Sequence, residues 1–353
     1  MASKKDETIL GIDLSERSLK LFQRNAHSNE ADLVHVEPLT PSDFETEGYL
    51  TGVLKRLLSM YKGHLRARTV VLGLPSYMTF TRVLEVDPGL EDLTEQIGWE
   101  IEQQSFGRSG SQVFDYLELK TTPSVVPRDT DVQLERLTRE AEDPAGSGDA
   151  SDETVAPPAP ETPVSTENRM ARYLVTAVEE ARLRFIEGAL KKARFAPSVV
   201  DLDIYALINI FAHSYPEDTS EPVALVNMGT DTATVILTLD GQYIDHECIR
   251  SLDFISGGGA LTHAIGRVEA AVRDQALQQN TLLKKIMICG EMLADPHMRE
   301  TLVPAFNFTV EVLDPLKKIR VASEIAKQIT HISPALAVAA GLTLRAQGEE
   351  GGA

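Results

Sequence analysis

Two segments of this chain repeat one design. ILGIDLSERSLKLFQ from Ile9 and VALVNMGTDTATVIL from Val223 are each an apolar strand ending in aspartate or its amide, then a tight hydroxyl-bearing turn, then a returning strand. The repeat occurs once near the start and once at the opening of the last third, so it predicts two related halves rather than one continuous sheet. Facing hairpins of this kind suit one task. Their turn N–H groups and hydroxyls hold phosphates from two sides, while strand-end carboxylates orient a hydrated Mg²⁺. The candidates are Asp13, Ser15, Ser18 and Lys20 in the first hairpin, and Asn227, Gly229, Thr230 and Thr232 in the second. Asp13 is the one candidate metal ligand. Taken singly, Asp13 and Asn227 equally well cap turns, and Lys20 either approaches phosphates or stands on an exposed strand face. A strand-to-glycine corner over Ile286 to Gly290 supplies the adenosine side of such a cleft. The triplet Gly257, Gly258 and Gly259 either binds phosphate at a helix N-terminus or is simply a turn.

Between the hairpins the pattern changes. Asp43 to Tyr61 has helical apolar spacing, and Thr69 to Leu74 is a buried strand ending at Pro75. From Tyr77 the order is strand, helix (Glu91 to Gln104), strand (Val113 to Leu119), strand (Arg172 to Val178), helix (Glu179 to Arg194) and strand (Ser198 to Leu202). This βαββαβ order predicts a compact unit with two helices on one side of a sheet. Residues 142–167 interrupt it with seven acids, five prolines and no Lys or Arg. That composition cannot bury enough apolar area to offset its ordering entropy, so the segment is expected to be a disordered linker. The expected divisions are 1–75 for the first part of one lobe, 76–203 for the inserted subdomain, 204–346 for the remainder and the second lobe, and 347–353 for a frayed tail. Asp240-Gly241 between two β-rich runs predicts a hairpin.

The formal net charge of -19 argues against a nucleic-acid partner, which needs a basic surface. Cys248 and Cys289 belong to no CxxC or Cys/His cluster, so a reducing compartment is expected, with Cys289 a small core residue. No run approaches the roughly 18 apolar residues of a spanning helix. The reading is a cytoplasmic chain with no direct membrane insertion, so that any membrane association comes through a partner.

Taken together, the hairpins, the glycine corner and the insertion resemble the actin-like ATPases, a group that includes actin, DnaK-type chaperones, sugar kinases and FtsA. The βαββαβ insertion in the first half is similar to the FtsA and PilM branch. GIDLSERSLKLF, LPSYMTFTRVLEV with the helix from Gly89, VVDLDIYALINIF and SPALAVAAGLTLR resemble PilM-type pilus-assembly proteins in particular. The resemblance covers nearly the whole chain except the acidic linker. It implies a two-lobed actin-like fold, of the duplicated RNase H-like kind, with an inserted βαββαβ subdomain. It also implies a cytoplasmic scaffold of a type IV pilus or related secretion machine. Such a scaffold binds the cytoplasmic peptide of a PilN-type inner-membrane partner in a cleft beside the inserted subdomain. The cytoplasmic part of GspL-type secretion proteins falls under the same reading. The alternative in another class is a working ATPase or small-molecule kinase using Mg-ATP. An FtsA-like membrane-tethered filament is disfavoured because GLTLRAQGEEGGA is not an amphipathic basic helix.

The departures from the pattern are chemical. Glu16 and Arg17 follow Ser15 where the family has small residues, Asn227 replaces an aspartate, Asp231 stands within the second turn, and Glu291 and Met292 follow Gly290. Asn227 takes one negative charge from a Mg²⁺ shell. Asp231 adds a carboxylate near phosphate oxygens, where like charges about 4 Å apart cost on the order of 4 kcal/mol. Glu291 is expected to crowd an adenine. ATP and Mg²⁺ binding is therefore expected to be weak or absent. Trp99 lies off the Leu93/Ile97/Ile101 stripe of its helix and either marks a partner surface, with Glu95 and Glu102, or packs on a neighbouring strand.

Overall fold

The computed structural model describes residues 7–15, 17–44, 46–86, 92–104, 110–119 and 171–345. The acidic segment 142–167 and the tail 347–353 lie outside the described residues. The first lobe is built on β1 (Thr8–Leu14), β2 (Ser18–Asn25), β3 (Glu30–Pro38), β4 (Thr69–Leu74), β8 (Val199–Leu202) and β14 (Arg320–Val321), in the order β14-β3-β2-β1-β4-β8. β1 pairs antiparallel with β2 and parallel with β4, and both faces of this central strand are covered, so all seven of its residues are buried. Hence TILGIDL reads as a continuous apolar run rather than an alternation.

The second lobe repeats that plan. β9 (Val223–Met228), β10 (Thr232–Leu239), β11 (Gln242–Arg250), β12 (Lys285–Cys289) and β13 (Val310–Val312) run in the order β11-β10-β9-β12-β13. β9 pairs antiparallel with β10 and parallel with β12, as β1 does with β2 and β4. The helix between third and fourth strands is α1 (Glu47–Met60) in the first lobe and α5 (Gly258–Gln278) in the second. The Asp240-Gly241 hairpin joins β10 to β11 as the dipeptide predicts, with Leu239 opposite Gln242. The internal repeat seen in sequence is thus a repeat of sheet topology, and it sets Asp13 and Asn227 at equivalent positions near the ends of the two central strands.

Two helices fill the centre, α4 (Asp203–Ser214) and α8 (Ala337–Arg345), packed against each other, with α8 also packed against β1. The small-residue run AVAAG of α8 permits this. A β-carbon at Gly341 would collide with the main-chain carbonyl of Ala206, on α4. Arg24 is buried beneath α8, where its Nε donates to Thr343 Oγ1 at 2.9 Å and a terminal nitrogen donates to the Thr343 carbonyl at 2.7 Å.

The inserted segment has the expected order, β5 (Thr79–Val86), α2 (Leu93–Gln104), β6 (Gln112–Glu118), β7 (Ala171–Glu179), α3 (Glu180–Lys192) and β8. Its packing differs from a closed βαββαβ unit. Among the described residues, β5, β7 and β6 form the small sheet, and α2 covers one face of it, through Ile97 and Ile101 against Leu84, Val86, Tyr173 and Val175. β8 pairs in parallel with β4, so Ser198 to Leu202 completes the first lobe's sheet instead. α3 packs on α1 and the turn before it, with Phe185 stacked on Phe44 of that turn at 6.5 Å between ring centroids and Lys192 paired with Glu47 of α1 at 2.9 Å. The reason is that α3 carries Ile186, Ala189 and Leu190 on the stripe that meets the first lobe's core. Element order is written in sequence, whereas the partner of an apolar stripe is not.

Candidate functional site

The two hairpin turns face each other across a cavity of about 120 Å³ between the lobes. Asp13, Ser15, Lys20, Asn227, Gly229, Thr230 and Thr232 all line it, as do Asp231 and Glu291. Ser18 joins them through its hydrogen bond to Glu291. Gly257, Gly258 and Gly290 are not among the lining residues. The glycine pair opens α5 in solvent-exposed backbone. Gly290, at φ +110, is the corner after β12, and a β-carbon there would strike the backbone of Met228 and the Asn227 side chain. Its role in the structure is close strand-to-strand approach.

Several polar groups of the cleft are engaged with one another. Lys20 is buried, and its Nζ lies 2.9 Å from Asp13 Oδ2 and 2.8 Å from Glu291 Oε1. Burial alone would lower its pKa, but the two carboxylates override this and hold the ammonium charged. Glu291 also accepts from the Ser18 hydroxyl and, through Oε2, from Thr230 Oγ1 at 3.2 Å. Burial pushes the Glu291 carboxyl up, yet Lys20 and the two hydroxyl donors outweigh it and hold the pKa below the ordinary glutamate value. Asp13 is raised by burial, against the pull of Lys20 and with a further push from Glu291. At the rim, Arg17 meets Asp231 at 3.1 Å with both side chains about half exposed. A solvent-exposed pair of this kind contributes roughly 0–1 kcal/mol. Three turn N–H donors are engaged as well. Ser15 N–H donates to the Ser18 carbonyl at 2.9 Å, Ser18 N–H to Ser15 Oγ at 3.0 Å, and Gly229 N–H to the Thr232 carbonyl at 2.9 Å.

Glu291 was expected to crowd an adenine at the adenosine corner; its carboxylate instead lies between the two turns. Asp231 does line the cavity, but Arg17 offsets its charge. Lys20 is buried against carboxylates rather than standing on an exposed face. In this arrangement several groups that a Mg-nucleotide would use are engaged by protein partners. Asp13 Oδ2 is engaged by Lys20, the one lysine of the cavity is shared by two carboxylates, and an internal anion occupies the space between the hydroxyls. Among the described residues, no three His, Cys, Asp or Glu side chains group as metal ligands do.

Sequence reasoning missed Asp203. It opens α4 directly after β8 and is fully buried beside the cleft, accepting from Ser76 N–H at 3.0 Å and Ser76 Oγ at 3.3 Å. Ser76 Oγ lies 3.1 Å from Thr234 Oγ1, which links the lobes. Burial lifts the Asp203 carboxyl to about 7, opposed by the Ser76 N–H and reinforced by Asp13. The signal available in sequence was an aspartate at a strand's C-terminal end opening a helix, a place where α/β sheets carry polar sites.

A second concavity, of about 380 Å³, lies between the first lobe and the small sheet. Val113, Asp115 and Leu117 of β6, Leu174, Thr176 and Val178 of β7, and Val200, Asp201 and Leu202 of β8 line it. β6 and β8 are each the edge strand of their sheet. Val113, Leu117 and Val200 leave 40–57% of their surface exposed, which marks an apolar floor open to solvent. α2 lies on the opposite face of the small sheet, packed on Tyr173 and Val175. The structure therefore does not bring Trp99, Glu95 and Glu102 to this groove, and Trp99 stands 57% exposed on that far side. Among the described residues, no helix is long and apolar enough to cross a membrane.

No protein-family model matches the sequence, and no curated protein matches it significantly. Solved structures do. A chain of the PilM–PilN type IV pilus biogenesis complex is similar over 97% of this chain and 99% of that one, at 17% identity and a TM-score of 0.63. A protein of unknown function with an actin-like ATPase fold from Bacteroides thetaiotaomicron is similar over 93% of this chain and 96% of that one, at 12% identity and a TM-score of 0.50. With its duplicated sheets, its two central helices and its pair of facing hairpins, this chain has the two-lobed fold of the actin-like ATPases.

Proposed function

We propose that the protein is an adaptor of a type IV pilus or related secretion machine, held at the cytoplasmic face of the inner membrane by a membrane protein's cytoplasmic peptide. The observation that carries this reading is the groove between the first lobe and the small sheet. It offers an edge strand on either side and an apolar floor, the combination that takes up an extended peptide by strand addition. Two acidic side chains, Asp115 and Asp201, line it, and Arg345 pairs with Asp201 at 3.3 Å. A net charge of -19 favours a basic partner. Cytoplasmic flanks of membrane helices are such segments under the positive-inside rule, and the attraction speeds association in a salt-sensitive way. In this reading the α2 face, with Trp99, Glu95 and Glu102, is a second contact surface for basic residues of the same partner.

The test is a fluorescence titration with candidate cytoplasmic tails. Val113→Glu combined with Leu117→Glu places charge on the groove floor and is expected to weaken binding at least about tenfold, equivalent to about 1.4 kcal/mol. Trp99→Ala is expected to weaken binding by less. Unchanged affinity in the groove variant removes the groove from the interface, and unchanged affinity in Trp99→Ala removes α2.

The interlobe cleft is read as a degenerate nucleotide site with weak or absent affinity and no significant hydrolysis. The support is that Lys20 and the turn hydroxyls are engaged internally. Calorimetry giving low-micromolar Mg-ATP affinity for the wild-type protein would overturn this. The observation on the side of a working ATPase or kinase is Asp203, whose carboxyl near 7 falls in the range of a general base. Its two oxygens, however, are held by Ser76.

A further inference from the structure

The internal engagement of the cleft's polar groups centres on one side chain. Glu291 follows the Gly290 corner in the second lobe, and its two carboxylate oxygens take three partners. Lys20 Nζ at 2.8 Å and the Ser18 hydroxyl come from the first lobe's hairpin, and Thr230 Oγ1 at 3.2 Å comes from the second lobe's hairpin. An ammonium and two hydroxyls on facing turns are the donors that a phosphoryl group requires. A carboxylate meets the same demand, having negative charge and several acceptor sites.

We infer that Glu291 is a tethered anion that fills the phosphoryl seat between the hairpins and latches the two lobes together without a ligand. The inference rests on reading the cleft as a degenerate site of nucleotide type; it does not involve the peptide groove. Three features support it. The Gly290 corner is tightly seated, because a β-carbon there would strike the Met228 backbone and the Asn227 side chain. Lys20 is buried between Asp13 on its own sheet and Glu291 across the cleft, so two carboxyl groups share one ammonium. The other cations lining the cavity are held elsewhere: Arg17 pairs with Asp231 at the half-exposed rim, and Arg250 stacks over the Tyr77 ring at 5.4 Å. An incoming polyphosphate must therefore displace a buried, hydrogen-bonded carboxylate from the one lysine of the cavity.

Removing the carboxylate should create an anion site. Glu291→Gly is expected to bind pyrophosphate at least tenfold more tightly than wild type in calorimetry, and pyrophosphate is expected to raise its melting temperature while leaving that of the wild type unchanged. Adding Lys20→Met to that variant is expected to abolish the gain. A folded Glu291→Gly protein, with wild-type far-UV circular dichroism, that melts identically with and without pyrophosphate overturns the inference. Glu291→Gln keeps the side chain's shape and tests the latch separately by hydrogen exchange. Amides of residues 15–18 and 229–232 are expected to exchange at least tenfold faster together. An increase confined to residues 290–293 shows a purely local role and overturns the latch. Tight Mg-ATP binding by the wild-type protein would instead sink the degenerate-site reading, so the two failures are told apart by which protein binds.

Discussion

Gly341→Ala will lower the unfolding free energy by about 3 kcal/mol, although the substitution favours the helix it sits in by up to about 1 kcal/mol. The clash is with main chain, not with a movable side chain. The added β-carbon would run into the Ala206 carbonyl on α4, and α8 cannot retreat, because its Ala339 carbonyl already fills the space above Gly11 on β1. Relief requires the central helix pair to separate, and these two helices are packed at the centre of the first lobe's core. Gly266→Ala is the matched control. Gly266 is also within a helix, is exposed, and has nothing within reach of a new β-carbon. That change is expected to raise stability by roughly 0.5–1 kcal/mol. Urea midpoints measured side by side decide it; a neutral or stabilising Gly341→Ala would mean that α4 and α8 do not meet this closely.

Asp203→Asn will stabilise the protein at pH 8 by a few kcal/mol, on the order of 4, and will do little at pH 4. In the folded protein the buried carboxyl keeps its proton up to about pH 7, while in the unfolded chain it loses it near 3.8. Between those values the folded state holds more protons than the unfolded state, so this group's contribution to stability falls as pH rises through the window, and above it the penalty is constant. Asparagine has no charge to bury and can still accept from the Ser76 N–H. Glu291 acts in the opposite sense. Its lowered pKa contributes stability that is lost as pH falls through the acid range. The difference between variant and wild type therefore isolates Asp203 from the rest of the cleft. Urea denaturation at several pH values between 4 and 8 measures it. A constant difference across that range would show that Asp203 is ionised throughout in the folded state.

Sequence by itself determined the repeated hairpins, and through them the duplicated plan. An apolar run, a strand-end Asp or Asn, a hydroxyl turn and a returning run constitute a local pattern, and local patterns survive being read one segment at a time. The Asp240-Gly241 turn and the helical stripes of α1 and α2 were legible for the same reason. So were most residues of the cleft, because each lies within a few positions of a turn already recognised. Tertiary structure alone decided the pairings. The sequence of Glu291 says only that a carboxylate follows Gly290; that it reaches Ser18 and Thr230 depends on how two sheets face each other. The burial of Lys20 and the proton affinity of Asp203 depend on neighbours more than 100 residues away in the chain. The fate of α3 and β8 was decided the same way. Their apolar stripes fit a small sheet or the first lobe equally well on paper, and in the fold they are buried against α1 and β4 of the lobe. The groove exists only as a consequence of that choice, since placing β8 on β4 leaves its edge facing β6 across a gap that no local pattern records.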